Sequence, residues 1–169
     1  MKFLILSLAT LVFAGPGMAQ NPETKPEPKF YKLDIVLKEL EGGKVLTSRA
    51  YMIALSSGNN TGSASVRTGD KVAVSTGGPQ NTQFSYIDVG VNIDCRVISA
   101  TSTELGLSVV TDVSSMGENK SATLAPNITQ TKWAAYAVVP FRKPTMIFSA
   151  DGASSKRQTQ LEITATPLQ

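Results

Sequence analysis

Between Tyr86 and Val97 the chain alternates without a break. Ile87, Val89, Val91, Ile93, Cys95 and Val97 are apolar, while Asp88, Gly90, Asn92, Asp94 and Arg96 fill the other phase. Successive side chains on a strand point to opposite faces, so this period specifies a strand with one buried and one wet face. Wound as a helix, the same residues would scatter their apolar groups all round the axis. The pattern recurs at Tyr31, Leu33, Ile35 and Leu37, and again at Leu105, Leu107, Val109 and Val113 with Thr111 in phase. Val45–Leu55, Trp133–Phe141, Thr145–Ala150 and Thr159–Thr166 read as further strands.

Turn residues separate these segments. Gly42-Gly43 joins the first two as a tight hairpin, because its central positions need positive φ and glycine adopts it freely. Ser56–Gly62, Thr76–Asn81 and Ser114–Ser121 are loops by composition. Val66–Val74 reads as two short strands about a Gly69-Asp70 turn, and Asp151-Gly152 is another turn dipeptide. No helical periodicity competes with this after residue 29. The expected fold is all-β, a β-sandwich or partly open barrel of about seven to nine antiparallel-type strands.

The ends divide the chain. Lys2, the apolar run Phe3–Ala14, the Gly15-Pro16 breaker and the small residues Gly17 and Ala19 read as a signal peptide over residues 1–19. The apolar run is too short to span roughly 30 Å of hydrocarbon, so no stable membrane span is expected after cleavage. Residues 20–29, with three prolines and four charges, read as a disordered leader, and residues 30–169 as a single all-β domain. The expectation is an exported chain, periplasmic or secreted, with outer-membrane association a further option.

Composition then limits the chemistry. The 169 residues contain no histidine and one cysteine. Ser-His-Asp and Cys-His nucleophiles are therefore impossible within one chain, and so is a structural zinc site. The one cysteine, Cys95, falls on the apolar phase and is expected in the core. No cofactor, metal site or catalytic residue is expected, and the chain is not read as an enzyme. Its 16 basic side chains are scattered, never more than two in a row, so no nucleic-acid partner is expected either.

The weaker candidates do not converge. Asp88 and Asp94, with Asn92 between them, lie on one polar phase but about 20 Å apart at the strand rise, too far for a shared acid-base site. Thr129-Gln-Thr-Lys132 has the spacing of a Thr-Lys dyad, but that spacing meets on a helix and the surroundings read as strand. Trp133, Tyr136 and Tyr86 are the candidates for an aromatic-lined ligand pocket, against the ordinary packing role of aromatics in strands.

Three passages resemble the β-domain of bacterial secretins, the outer-membrane channel proteins of type II and III secretion and type IV pilus systems. The passage from Arg49-Ala50-Tyr51 to Val74, ending in Val66-Arg-Thr-Gly-Asp-Lys-Val-Ala-Val74, is similar to their strand–glycine turn–strand. Tyr86–Val97, with Val89-Gly90-Val91, followed by Leu105–Ser115, resembles their paired alternating strands. Gln160–Pro167 looks like their closing strand ending in Thr-Pro. The family's Gly-Gly-Leu step before that strand has no counterpart here, where Lys143-Pro144-Thr145-Met146 stands. The resemblance covers the β-domain and not the large ring-forming N-terminal domains. It implies shared β-architecture more than channel activity. With the absence of catalytic groups, it leads to a structural or interaction role at the cell envelope, linked to secretion or pilus-type machinery. The partner would be an envelope protein or a second copy, met through edge strands. A small-ligand-binding β-protein is the alternative.

Overall fold

A computed structural model describes residues 29–58, 62–76, 81, 83–117, 127–152 and 156–168. The signal and all but Lys29 of the leader lie outside the described residues. Eight strands follow in order: β1 (Lys29–Glu41), β2 (Lys44–Ser57), β3 (Ser63–Thr76), β4 (Gln83–Ala100), β5 (Glu104–Met116), β6 (Ile128–Pro140), β7 (Thr145–Asp151) and β8 (Arg157–Leu168). They form two antiparallel four-stranded sheets, ordered β2-β1-β8-β7 and β3-β4-β5-β6.

The alternation places the core. Tyr31, Leu33, Ile35 and Leu37 of β1, with Leu161, Ile163 and Ala165 of β8, turn one face of the first sheet inward. Val91, Ile93, Cys95 and Val97 of β4 and Leu105, Leu107 and Val109 of β5 face them from the second. Each fully buried Leu, Ile or Val contributes about 1.5–3 kcal/mol relative to exposure, so these two ladders carry the fold. Across the core Tyr31 stacks on Phe141, ring centroids 5.7 Å apart, and Trp133 lies flat on Phe148 at 3.9 Å and 7°. The two sheets approach at both sides, β2 beside β3 and β4, and β6 beside β7 and β8, without a hydrogen-bonded ladder between them. The architecture is thus a sandwich on the way to a barrel. The β6–β7 corner is tied down by a bridge between Phe141 and Ala165 and by the Arg142 amide donating to the Ala165 carbonyl at 2.8 Å.

The Gly42-Gly43 hairpin stands as expected, with φ of 56° and 80°. Gly69-Asp70, in contrast, is no turn: β3 runs straight through it, each residue paired with β4 from Ser63↔Arg96 to Thr76↔Gln83. Gly69 sits directly opposite Gly90. With no Cβ on either, the two backbones pass so closely that a methyl at Gly90 would strike the Thr68 carbonyl and the Gly69 Cα. This glycine pair lets two paired strands approach closely, which sequence alone does not distinguish from a bend. The polar stretch read as a loop from Ser114 also begins too early. Ser114 to Met116 belong to β5, and Ser114 is buried because its hydroxyl accepts from the Gly90 amide at 2.9 Å.

These features set the outline of the molecule. The pairing of β4 with β5 ends at Val91↔Val113. Beyond it, β3 and β4 continue as a two-stranded arm whose β4 side, residues 83–88, is exposed throughout and carries Phe84, Tyr86 and Ile87.

Candidate functional site

The three aromatic candidates do not meet. Trp133 points into the core against Phe148, while Tyr136, three residues along the same strand, points out and is 84% exposed. An odd separation on a strand puts two side chains on opposite faces, so these two could never line one pocket from β6. Tyr86 is on the outer face of the arm, 67% exposed. Tyr51 and Tyr31 contribute to the core from the other sheet. Among the described residues no common aromatic cavity forms.

The carboxylates of β4 are held by cations of β3. Asp88 pairs with Lys71 at 3.0 Å, and Asp94 accepts from Ser65 Oγ and Arg67 Nη2, each at 2.6 Å. The Ser65 bond, followed by the Arg67 bond and charge, holds the Asp94 carboxyl below its usual range against the opposing effect of desolvation. On the far side of the same face Lys132 reaches Asp112 at 3.1 Å. Arg67, Asn92, Asp112 and Lys132 are successive cross-strand partners, giving a polar row across all four strands. Thr129 and Lys132 stand on opposite faces of β6, the same odd separation as above, so the dyad spacing brings nothing together. Cys95 is buried, and desolvation, with the charge of Asp94 adding to it, pushes its thiol up to about 12. Such a thiol is inert at neutral pH.

Two exposed charges outside the ion pairs above meet at a cleft that the sequence pattern does not single out. β2 closes one sheet and β3 closes the other. Next to these two edges lies an open cleft of about 550 Å³, lined by Arg49 and Tyr51 of β2, Asp70 and Val72 of β3, Val89 and Gly90 of β4, and Ser115 and Met116 of β5 among others. Arg49 shares the phase of Tyr51, Ile53 and Leu55, the side of β2 that packs on the core. Asp70 shares the phase of Ala64 and Val66, the core side of β3. Both are exposed, and among the described residues neither has a hydrogen-bond or ion-pair partner. The signal that could have found them is a charge standing on the apolar phase of a strand.

No family model matches the chain, and no curated protein matches it. Solved structures do. The β-barrel of the secretin InvG from the Salmonella SPI-1 injectisome matches with a TM-score of 0.50 and 10% identity, over 84% of this chain and 62% of that one. The type II secretin GspD of enteropathogenic Escherichia coli matches with a TM-score of 0.50 and 8% identity, over 84% and 66%. GspD in its complex with the pilotin AspS, from enterotoxigenic E. coli, also matches at 0.50, with 7% identity over 84% and 47%. The chain therefore corresponds to less than two thirds of each of these. At such identities the likeness is one of fold, and it bears out the resemblance seen in the three sequence passages: this chain has the all-β architecture of the secretin β-domain.

Proposed function

We propose that the protein is a non-catalytic structural module of the cell envelope, of the kind found in secretion machinery, acting through contacts with other envelope proteins or copies of itself. The secretin fold supports the setting. The observation that carries the mode of action is the state of the sheet edges. β2, β3 and β6 are edge strands of 14, 14 and 13 residues, and each presents a row of backbone groups with no ladder partner on its outer side among the described residues. Soluble monomers blunt such edges with charges, prolines, bulges or short strands, and of these β3 carries only the charges Arg67, Asp70 and Lys71. Here β3 contains no proline, β6 has one only at its last residue, Pro140, and neither shows a register shift in its ladder. Residues 133–140 of the β6 edge carry no charge, and charges flank them at Lys132 and at Arg142-Lys143. Edges of this length and composition are suited to strand pairing with another chain.

The test is crosslinking of the chain in its native envelope, followed by identification of the captured polypeptides, alongside sedimentation of the purified chain. Oligomers or a reproducible envelope partner support the reading. A monomer at all concentrations that captures nothing overturns it.

A further inference from the structure

The β3–β4 arm changes character beyond the Lys71–Asp88 ion pair. From Val72 to Thr76 on β3 and from Gln83 to Ile87 on β4 there is no charged residue. Apolar side chains stand on both faces of this stretch. Directly opposed residues share a face, so Tyr86 stands with Ala73 on one and Ile87 with Val72 on the other. Phe84, two residues before Tyr86, shares the face of Tyr86, and Phe84, Tyr86 and Ile87 are all exposed. Elsewhere on the same sheet, exposed apolar groups such as Val110 and Tyr136 lie on strands whose other face is core. The two-sided exposure decides the occupant. A protein laid against the arm covers one face and leaves the other in water, whereas a lipid layer takes in both.

The order of residues along the arm fits that medium. At the strand rise, Tyr86 lies roughly 7 Å and Phe84 roughly 13 Å beyond the ion pair. A headgroup layer is roughly 5–8 Å thick. With the ion pair at its outer edge, the Tyr86 ring reaches the headgroup–acyl boundary that tyrosine favours, and Phe84 enters the acyl chains. The backbone limits the depth. β4 pairs with β5 only as far as Val91, so the arm is a two-stranded ribbon with open edges, which hydrocarbon does not tolerate. We propose that the outer part of this arm, through Phe84, Tyr86 and Ile87, inserts shallowly into one leaflet of a phospholipid surface and holds the domain against it. This contact goes beyond the strand-edge reading and does not depend on it.

The experiment floats the mature chain, residues 20–169, with phosphatidylcholine vesicles at low and at high salt. The wild-type chain should rise with the vesicles at both, because the inserting stretch is uncharged. Phe84→Ser, Tyr86→Ser and Ile87→Ser should each weaken partition about tenfold, the scale of leaving one large apolar side chain unburied. Val138→Ser, exposed on the outer face of the sheet body, is the control and should change nothing. Urea unfolding followed by Trp133 emission checks that every variant is folded. Phe84→Trp adds an indole that lipid brominated on its acyl chains should quench, while Trp133 of the wild-type chain, stacked in the core, stays bright. No flotation, flotation lost at high salt, a loss confined to one face of the arm, an equal loss in Val138→Ser, or an added indole that is not quenched would each overturn the proposal. Sedimentation without lipid keeps the two readings apart. Assembly by a chain that ignores vesicles sinks the lipid contact and leaves the structural role; flotation of a solitary monomer that captures no envelope protein does the reverse.

Discussion

Replacing Gly90 with alanine puts a methyl group where β3 and β4 have no room for one. The added carbon would meet the Thr68 carbonyl oxygen and the Gly69 Cα, both backbone, so relief requires moving a strand and not rotating a side chain. Overpacking of this kind costs about 1–3 kcal/mol. Shifting β4 also disturbs the Ser114 hydroxyl, which accepts from the Gly90 amide and donates to the Gly90 carbonyl, a further 0.5–1.5 kcal/mol or so for a hydrogen bond. The expected loss is about 2–4 kcal/mol. Gly106→Ala is the control: its new methyl meets chiefly the Ser99 hydroxyl, the end of a rotatable side chain, and its cost should stay within about 1 kcal/mol. Urea unfolding followed by the emission of Trp133, the chain's one tryptophan, measures the body of the domain. Amide hydrogen exchange across residues 68–74 and 83–89 reads the arm. If the strain is released by detaching the arm, exchange there will quicken before the body weakens. The close passage of the two strands is wrong if Gly90→Ala and Gly106→Ala are indistinguishable in both measurements.

Three further outcomes follow from the same geometry. Phe148→Ala should cost about 2–4 kcal/mol in urea unfolding and shift Trp133 emission to the red, since it strips the stacked partner from a half-buried indole; an unchanged spectrum would contradict the stack. Asp94→Asn should cost less than about 1 kcal/mol at neutral pH, as the Arg67 pair is half exposed. Because the folded carboxyl is lowered, its stabilisation is present above the ordinary carboxylate range and lost as the pH falls through the lowered one, so the difference from wild type should close on acidification. A difference that persists or grows in acid would refute the assignment. Cys95 should resist thiol alkylation at neutral pH in the folded chain and react once urea unfolds it; fast labelling of the folded protein would place it outside the core.

Much of this fold was legible because half-buried strands write a period of two into the sequence. Ile93, Cys95, Leu107, Leu33 and Ile35 were assigned inward from alternation alone, and each is buried. What alternation does not carry is partnership. That β1 lies between β2 and β8, or that β3 and β6 end the second sheet, depends on pairings between residues far apart in the chain. Gly69 misled for a related reason: a glycine that bends a chain and one that lets another strand pass close look the same until Gly90 is placed opposite. The aromatic candidates failed on parity, since Trp133 and Tyr136 are three apart and a strand separates them. Arg49 and Asp70 were overlooked because each looks like an ordinary surface charge until its phase is compared with its neighbours on the strand.

In the proposed role the sheet edges are the working surfaces of a structural module. The most direct test compares amide hydrogen exchange of the isolated mature chain with that of the chain captured in its native envelope. Outward-facing amides of β3, and of β6 or β2, should exchange fast in isolation and become protected on capture, while the amides of β1 and β8 stay unchanged. Edge amides that exchange identically in both states would contradict it.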